Sequence, residues 1–418
     1  MPIPFLHRPL AILPVLLVAA CAKAPADNLP KAPEAAAPVI ASAPLELSFA
    51  QWKQQLREQA LAQGIDARVF DRVFTGVVPN PDVIKADSSQ PEFTRPVWDY
   101  LDGAVSPSRI GRGRVLMAQH SALLERIEQR YGVDAPVLVA IWGLESNFGN
   151  NIGSHSVIRS LATLAYEGRR QAFWRTQLLA ALKILQNGDV EPDNMVGSWA
   201  GAMGQTQFMP TTYNEHAVDF DGDGRRDLWQ SPADALASAA HYLSASGWRA
   251  RQPWGFEVRL PAQFDYALAD PSVRKTLAQW RALGVNAYAS HAASDQSMAT
   301  LVLPAGYRGP AFLLLDNFRS ILRYNNSTSY ALAIGLLSDN LKAPTTVRGN
   351  WPREDRQLGR SERIELQERL TRQGFDTGPA DGIIGANTRK AIRDLQLQLQ
   401  QPADGYPSAE LLQQLRQR

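Results

Sequence analysis

Apolar residues recur at three- and four-residue spacing in FAQWKQQLREQALAQG (49–64), SRIGRGRVLMAQHSALLERIEQRYG (108–132) and RTQLLAALKILQNG (175–188), and each run closes on glycine. That is the period of helices packed along one face, with glycine as the terminator. Short apolar runs at Phe256–Leu260, Met298–Leu303 and Ala311–Leu315 predict strands, so residues 48–342 read as a mainly α domain with a small β element. Residues 343–356, rich in proline and mixed charge, read as a linker. Residues 357–418 then show three helix-like runs, with PADG at 379–382 and again at 402–405, and predict a three-helix module built from two similar turn-helix units.

The N-terminus follows another pattern. His7 and Arg8 precede the apolar run Leu10–Ala20, which has the length of a signal-peptide core and is too short to span a bilayer. Val18-Ala19-Ala20-Cys21 resembles a bacterial lipobox, so residues 1–21 read as a lipoprotein signal and Cys21 as the lipidated residue; the alternative is ordinary secretory cleavage with an incidental cysteine. Ala22, in place of an aspartate, points to the outer membrane. Residues 22–47, dominated by Ala and Pro, form no core pattern and read as a tether. Cys21 is the single cysteine, so no intramolecular disulfide can form.

Composition removes some functions. With 43 basic and 41 acidic residues the net charge is +2, which gives no field for nucleic acid. The six histidines have no paired zinc-ligand spacing.

The chemistry concentrates in DAPVLVAIWGLESNFGNNIG. Asp134 is a candidate N-cap, and Val137, Ile141, Leu144 and Glu145 share one helical face. A carboxyl directed inward at the C-terminal end of a helix is pushed toward its neutral form by desolvation and by the helix dipole, which suits a general acid. The plainer reading is a buried glutamate tied to an arginine.

AIWGLESNFG, then GSHSVIRSLATLAYEGRRQAFW and GSWAGAMGQTQFMPTTY, resemble in order the signatures of the B-type membrane-bound lytic transglycosylases. The resemblance implies a lysozyme-like helical fold, peptidoglycan glycan strands as substrate, a monomer, no catalytic cofactor and Glu145 as the catalytic residue. It further implies Ser198, Met203, Gln207, Tyr242, Tyr324, Asn325 and Tyr330 as a cleft wall, and Arg169 and Arg170 as contacts to muramyl carboxyl or peptide groups. Met203 could instead be core, and the two arginines could form surface salt bridges. A hydrolase of the goose-lysozyme kind and a non-catalytic wall-binding lipoprotein are the rival readings.

DFDGDGRRDLWQSPADA places Asp219, Asp221 and Asp223 at positions one, three and five of an EF-hand-like loop, with Gly224 at the turn, the Arg225 carbonyl at seven and Asp227 at nine. Gln230 stands where the loop usually ends in glutamate. The resemblance implies an enlarged loop closed by Asp234, holding a structural Ca2+; a polar turn without an ion is the alternative. Residues 357–418, with DGIIGANTRKAI, resemble the small peptidoglycan-binding domain of wall enzymes.

Overall fold

Ser48 starts the first helix, Phe49–Ala62, through a capping box: its Oγ accepts the Gln51 amide (3.3 Å) while Gln51 Oε1 accepts the Ser48 amide (3.0 Å). Trp52, Leu56 and Ala60, four residues apart, are its buried face. The computed structural model describes residues 47–88 and 95–418. The signal segment, the lipobox with Cys21 and the tether lie outside the described residues.

The run 108–132 is two helices rather than one. Pro107–Gln119 ends at His120, whose ψ of 17° leaves helical geometry, and Ser121–Tyr131 continues to Gly132 in left-handed conformation. Apolar spacing alone does not register such a corner, because both halves keep the same period. The third run is the helix Gln171–Asn187, stopped by Gly188 at φ +79°.

Two helical cores carry the fold. One joins Val97–Ala104, Ala135–Ser146, Pro232–Ala245 and Thr328–Lys342; the other joins the first helix to Val157–Glu167, Gln171–Asn187 and the buried side chains Met203, Phe208, Tyr213 and Trp229. Tyr324 packs against both cores and so marks the seam between them.

The expected strands form Gly255–Arg259, Met298–Val302 and Ala311–Leu314. They join an antiparallel five-stranded sheet whose outer members, Lys275–Thr276 and Asn286–Ala287, are two residues each. Pairs that short carry no alternation for sequence reading to find. Trp280 plugs one face of the sheet, fully buried with its indole N–H donated to the Ala299 carbonyl (3.0 Å). The C-terminal helices Arg360–Arg372, Ala386–Gln398 and Ala409–Arg416 enclose a small core of their own around Leu366, Ile392 and Leu412.

Candidate active site

The helix Ala135–Ser146 is buried on every side from Val137 to Gly143, so the single apolar face expected from the sequence is too narrow a description. Asp134 precedes it without capping it: the Ala135 amide donates to Glu128 Oε2 (3.1 Å), and Asp134 pairs with Lys342 (3.7 Å). The far end stops abruptly. Asn147, Phe148 and Gly149 take φ of +48°, +59° and +79°, three left-handed residues in succession. For a bulky residue such as Phe148 that conformation costs about 1–2 kcal/mol and persists only where packing imposes it. The Phe148 ring lies against Gly143, where an added Cβ would stand 2.8 Å from the ring, and meets Trp142 edge-on at 5.8 Å. Gly143 therefore leaves the space that lets the chain turn away directly after Glu145 and Ser146.

Gln205 holds that turn from beneath. Trp142 Nε1–H donates to Gln205 Oε1 (2.8 Å), Ser146 Oγ–H donates to the Gln205 carbonyl (2.7 Å), and Gln205 Nε2–H donates to the Trp229 carbonyl (3.2 Å). Trp142, Ser146 and Gln205 are all buried, and Trp142 and Ser146 bracket Glu145 in the chain. Sequence reading passed over Gln205; its only signal is its place directly after Gly204, which takes a left-handed φ of +66°.

Glu145 itself is partly exposed, and Tyr330 O–H donates to its Oε1 at 2.5 Å. Burial raises its carboxyl to about 7, against a smaller lowering by the Tyr330 bond. Among the described residues the side chain bonded to Glu145 is the phenol of Tyr330, not an arginine. Tyr330 and Tyr324 are held well above the ordinary phenol range, first by burial and then by the charge of Glu145. Both stay neutral near pH 7, and Tyr330 stays a donor.

Five of the predicted wall residues separate into three groups. Tyr242, Tyr324 and Phe208 form one aromatic cluster, with Tyr242 and Tyr324 edge-to-face at 5.2 Å and each 5.7 Å from Phe208. Their hydroxyls are anchored, Tyr324 to the Thr206 carbonyl (2.8 Å) and Tyr242 to the Arg323 carbonyl (2.6 Å). Ser198 Oγ accepts the Ala202 amide (3.0 Å), and Gln207, at φ +51°, donates to the Gly204 and Ile152 carbonyls (2.9 and 3.2 Å), so both shape the loop beside this cluster. Asn325 ends the helix Asp316–Tyr324 with its side chain exposed.

Two of the expected substrate contacts need correction. Met203 has no exposed surface and belongs to the second core, where it bridges Gly197 and Phe208; it shapes the wall by packing rather than by touching a sugar. Arg169 is tied to buried Asp87, through its amide (3.3 Å), its Nε (3.2 Å) and a short bond to the Asp87 carbonyl, so its guanidinium has a structural partner. Arg170 lies over Phe173 and Trp174, at 4.9 and 5.1 Å from the ring centres.

In the acidic loop, Asp219, Asp221 and Asp223 are exposed, and each brings one oxygen within 4.8 Å of the others. That group suits a hard cation with oxygen ligands. Asp234 does not join it. It is fully buried, Oδ1 accepts the Phe220 and Asp221 amides (2.7 and 3.3 Å) and Oδ2 accepts the Asp227 amide (2.9 Å), so it closes the loop from inside. Asp227 Oδ1 accepts the Trp229 and Gln230 amides (2.8 and 2.9 Å) and is likewise spent on the backbone.

Residues 48–339 match the family described as the transglycosylase SLT domain, and residues 359–415 match a peptidoglycan binding domain. Membrane-bound lytic murein transglycosylase B of Escherichia coli K12 is 35% identical over 239 residues, 56% of this chain and 64% of that protein, so the match spans less than two thirds of that relative. The crystal structure of SltB3 from Pseudomonas aeruginosa in complex with NAG-anhNAM-pentapeptide is 61% identical, covering 88% of this chain and 99% of that one, with a TM-score of 0.86. The Escherichia coli lytic transglycosylase Slt35 in complex with calcium is 28% identical, covering 69% of this chain and 92% of that one, with a TM-score of 0.61.

Proposed function

The chain belongs to the transglycosylase SLT family, with the mainly helical, lysozyme-like fold of its relatives, and on that premise we propose that it is a lytic transglycosylase of peptidoglycan. The observation that carries this reading is a single partly exposed carboxyl at position 145, raised to about 7 by burial and accepting one phenolic hydrogen bond. Such a group is protonated in useful amount near neutral pH and becomes a competent base once it has given its proton away.

Neutral Glu145 donates its proton to the oxygen linking N-acetylmuramic acid to N-acetylglucosamine, and that bond breaks. The Glu145 carboxylate then takes the proton of the muramyl C6 hydroxyl, whose oxygen bonds to C1 and closes a 1,6-anhydro ring. One proton leaves Glu145 and one returns, with no water consumed. The positive charge developing at C1 is supported by the substrate's own acetamido group, which takes the part of the second carboxylate of ordinary glycosidases. Tyr330 directs Glu145, while Tyr242, Tyr324, Gln207, Ser198 and Asn325 line the sugar path; Arg170 is the member of the arginine pair left for acidic or peptide groups of the substrate. The anhydro-sugar named with the SltB3 relative supports a lyase over a hydrolase.

Asp219, Asp221 and Asp223, with the Arg225 carbonyl, hold a structural Ca2+, a reading supported by their gathered oxygens and by the calcium complex of Slt35. The ion would brace the loop ahead of the helix that carries Tyr242. Membrane association, suggested by the membrane-bound relative, would run through lipidated Cys21 to the periplasmic face of the outer membrane. Among the described residues no helix is long and apolar enough to cross a membrane. The test is mass spectrometry of muropeptides released from sacculi by the chain lacking residues 1–21: anhydromuramic ends are expected, and reducing ends would overturn the lyase assignment.

A further inference from the structure

The C-terminal module repeats one hydrogen-bonded unit. In the first copy the Asp381 amide donates to the Pro379 carbonyl (3.0 Å), the Ile383 amide to Asp381 Oδ1 (2.8 Å), the Gly385 amide to the Ile383 carbonyl (3.0 Å) and the Gly382 amide to Gln367 Oε1 (2.8 Å). In the second the same four bonds run from Asp404 to Pro402 (3.0 Å), Tyr406 to Asp404 Oδ1 (2.9 Å), Ser408 to Tyr406 (3.0 Å) and Gly405 to Gln396 Oε1 (2.9 Å). Gly382 and Gly405 share left-handed φ of +79° and +70°, and a helix starts directly after Gly385 and after Ser408. The two turns therefore present corresponding atoms in corresponding places.

The second copy is occupied by the body of the protein itself. The Tyr307 amide donates to Asp404 Oδ2 (2.7 Å), and Arg393 on the same unit pairs with Asp270. The residue before that amide is Gly306, at φ +72°; an L-configured Cβ added there would stand 2.8 Å from Asp404 Oδ2 and 3.0 Å from Tyr406 Cβ. The turn thus accepts an amide N–H that follows a left-handed residue lacking an L side chain. Glycine meets that requirement, and so does a D-residue, for which positive φ is ordinary and whose Cβ leaves Cα in another direction.

The first copy faces solvent. Asp381 is exposed, its Oδ1 is committed to the turn, and Oδ2 is the counterpart of the oxygen that takes Tyr307. Ile383, in the place of Tyr406, is 69% exposed. We propose that the turn at Asp381 and Ile383 is a binding site for an amide that follows a D-alanyl residue, specifically the peptide cross-bridge of peptidoglycan, in which D-alanine acylates a side-chain amine. The inference rests on the reading of this module as wall-binding and names what it binds.

The test uses the full chain with Glu145→Gln, so that walls are not digested. Two probes are compared by saturation-transfer NMR: Nα-acetyl-lysine amide acylated on its side-chain amine by N-acetyl-D-alanine, and its L-alanyl isomer. The D isomer should bind about tenfold more tightly or better. Adding Asp381→Asn keeps the turn acceptor but replaces Oδ2 by a donor, and should weaken the D isomer about tenfold, the loss of one bond to a charged acceptor. Equal binding of the isomers, no binding of either, or indifference to Asp381→Asn overturns the site. Co-sedimentation with sacculi, compared with and without residues 357–418, separates the failures: a chain whose pelleting falls when those residues are removed yet ignores the probes retains its wall-binding module and loses this site, whereas a chain whose pelleting is unchanged by their removal loses both.

Discussion

Glu145 and Asp234 are both carboxyls that burial drives upward, to about 7 and about 6, yet the protein uses them in opposite ways. Asp234 has no exposed surface and three backbone amides on its two oxygens, so its lone pairs are spent on holding the acidic loop together. Glu145 accepts one bond from Tyr330 on Oε1 and is partly exposed. Desolvation alone makes an acid weak. What makes it reactive is the shortage of internal partners together with access from outside, which Glu145 has and Asp234 lacks.

The comparison is most sharply broken at Glu145. Glu145→Gln should lower turnover on sacculi about a thousandfold or more, as expected for loss of a general acid that also serves as base. The fold should survive and gain. With its carboxyl raised, the native chain has the full benefit of neutral Glu145 below about pH 4.5 and loses it as pH rises through about 7. The stability of the Gln variant relative to the native chain should therefore grow by about 2–3 kcal/mol between acidic and mildly alkaline pH. Denaturant unfolding at several pH values measures this, and a gain that shrinks with pH would contradict the buried-acid reading. Asp234→Ala should do the reverse: about 3–5 kcal/mol of stability lost through three stranded amides, with turnover per folded molecule close to native.

Gln205 tests whether the end of the helix must be held. Gln205→Leu removes the partners of Trp142 Nε1–H and of the Trp229 carbonyl while keeping the backbone bond to Ser146. About 2 kcal/mol of stability should go. About a tenfold fall in kcat with little change in KM is the signature of a displaced acid; a change confined to KM would assign Gln205 to binding instead.

Chelation probes the other carboxylate region. If Asp219, Asp221 and Asp223 hold calcium, saturating Ca2+ should raise stability by about 2 kcal/mol relative to EDTA, and Asp219→Ala should abolish the response. An identical response in that variant would move the ion elsewhere. The smallest effect is expected from Tyr330→Phe. Its hydroxyl lowers the Glu145 carboxyl, so its loss should raise the alkaline limb of the activity profile by about one pH unit; a downward move would reverse the assigned role.

Much of this molecule is determined locally and is visible in its sequence. The three- and four-residue apolar period marks the helices, β-rich runs mark the strands at 255–259, 298–302 and 311–314, and the repeated PADG marks two turns with matching bonds. Such features depend on neighbours a few positions apart. The acid strength of Glu145 depends on burial and, against it, on Tyr330, 185 residues away, and its placement on Gln205, 59 residues from Ser146. The bond between Arg169 and Asp87 spans 82 residues and turns a candidate substrate contact into a structural pair. Asp234, a ligand by family resemblance, likewise becomes a backbone acceptor once the loop folds over it. A residue's identity decides which charges and bonds it can offer; only packing decides which of them water still reaches, because desolvation and hydrogen-bond partners come from chain segments whose meeting no local pattern records.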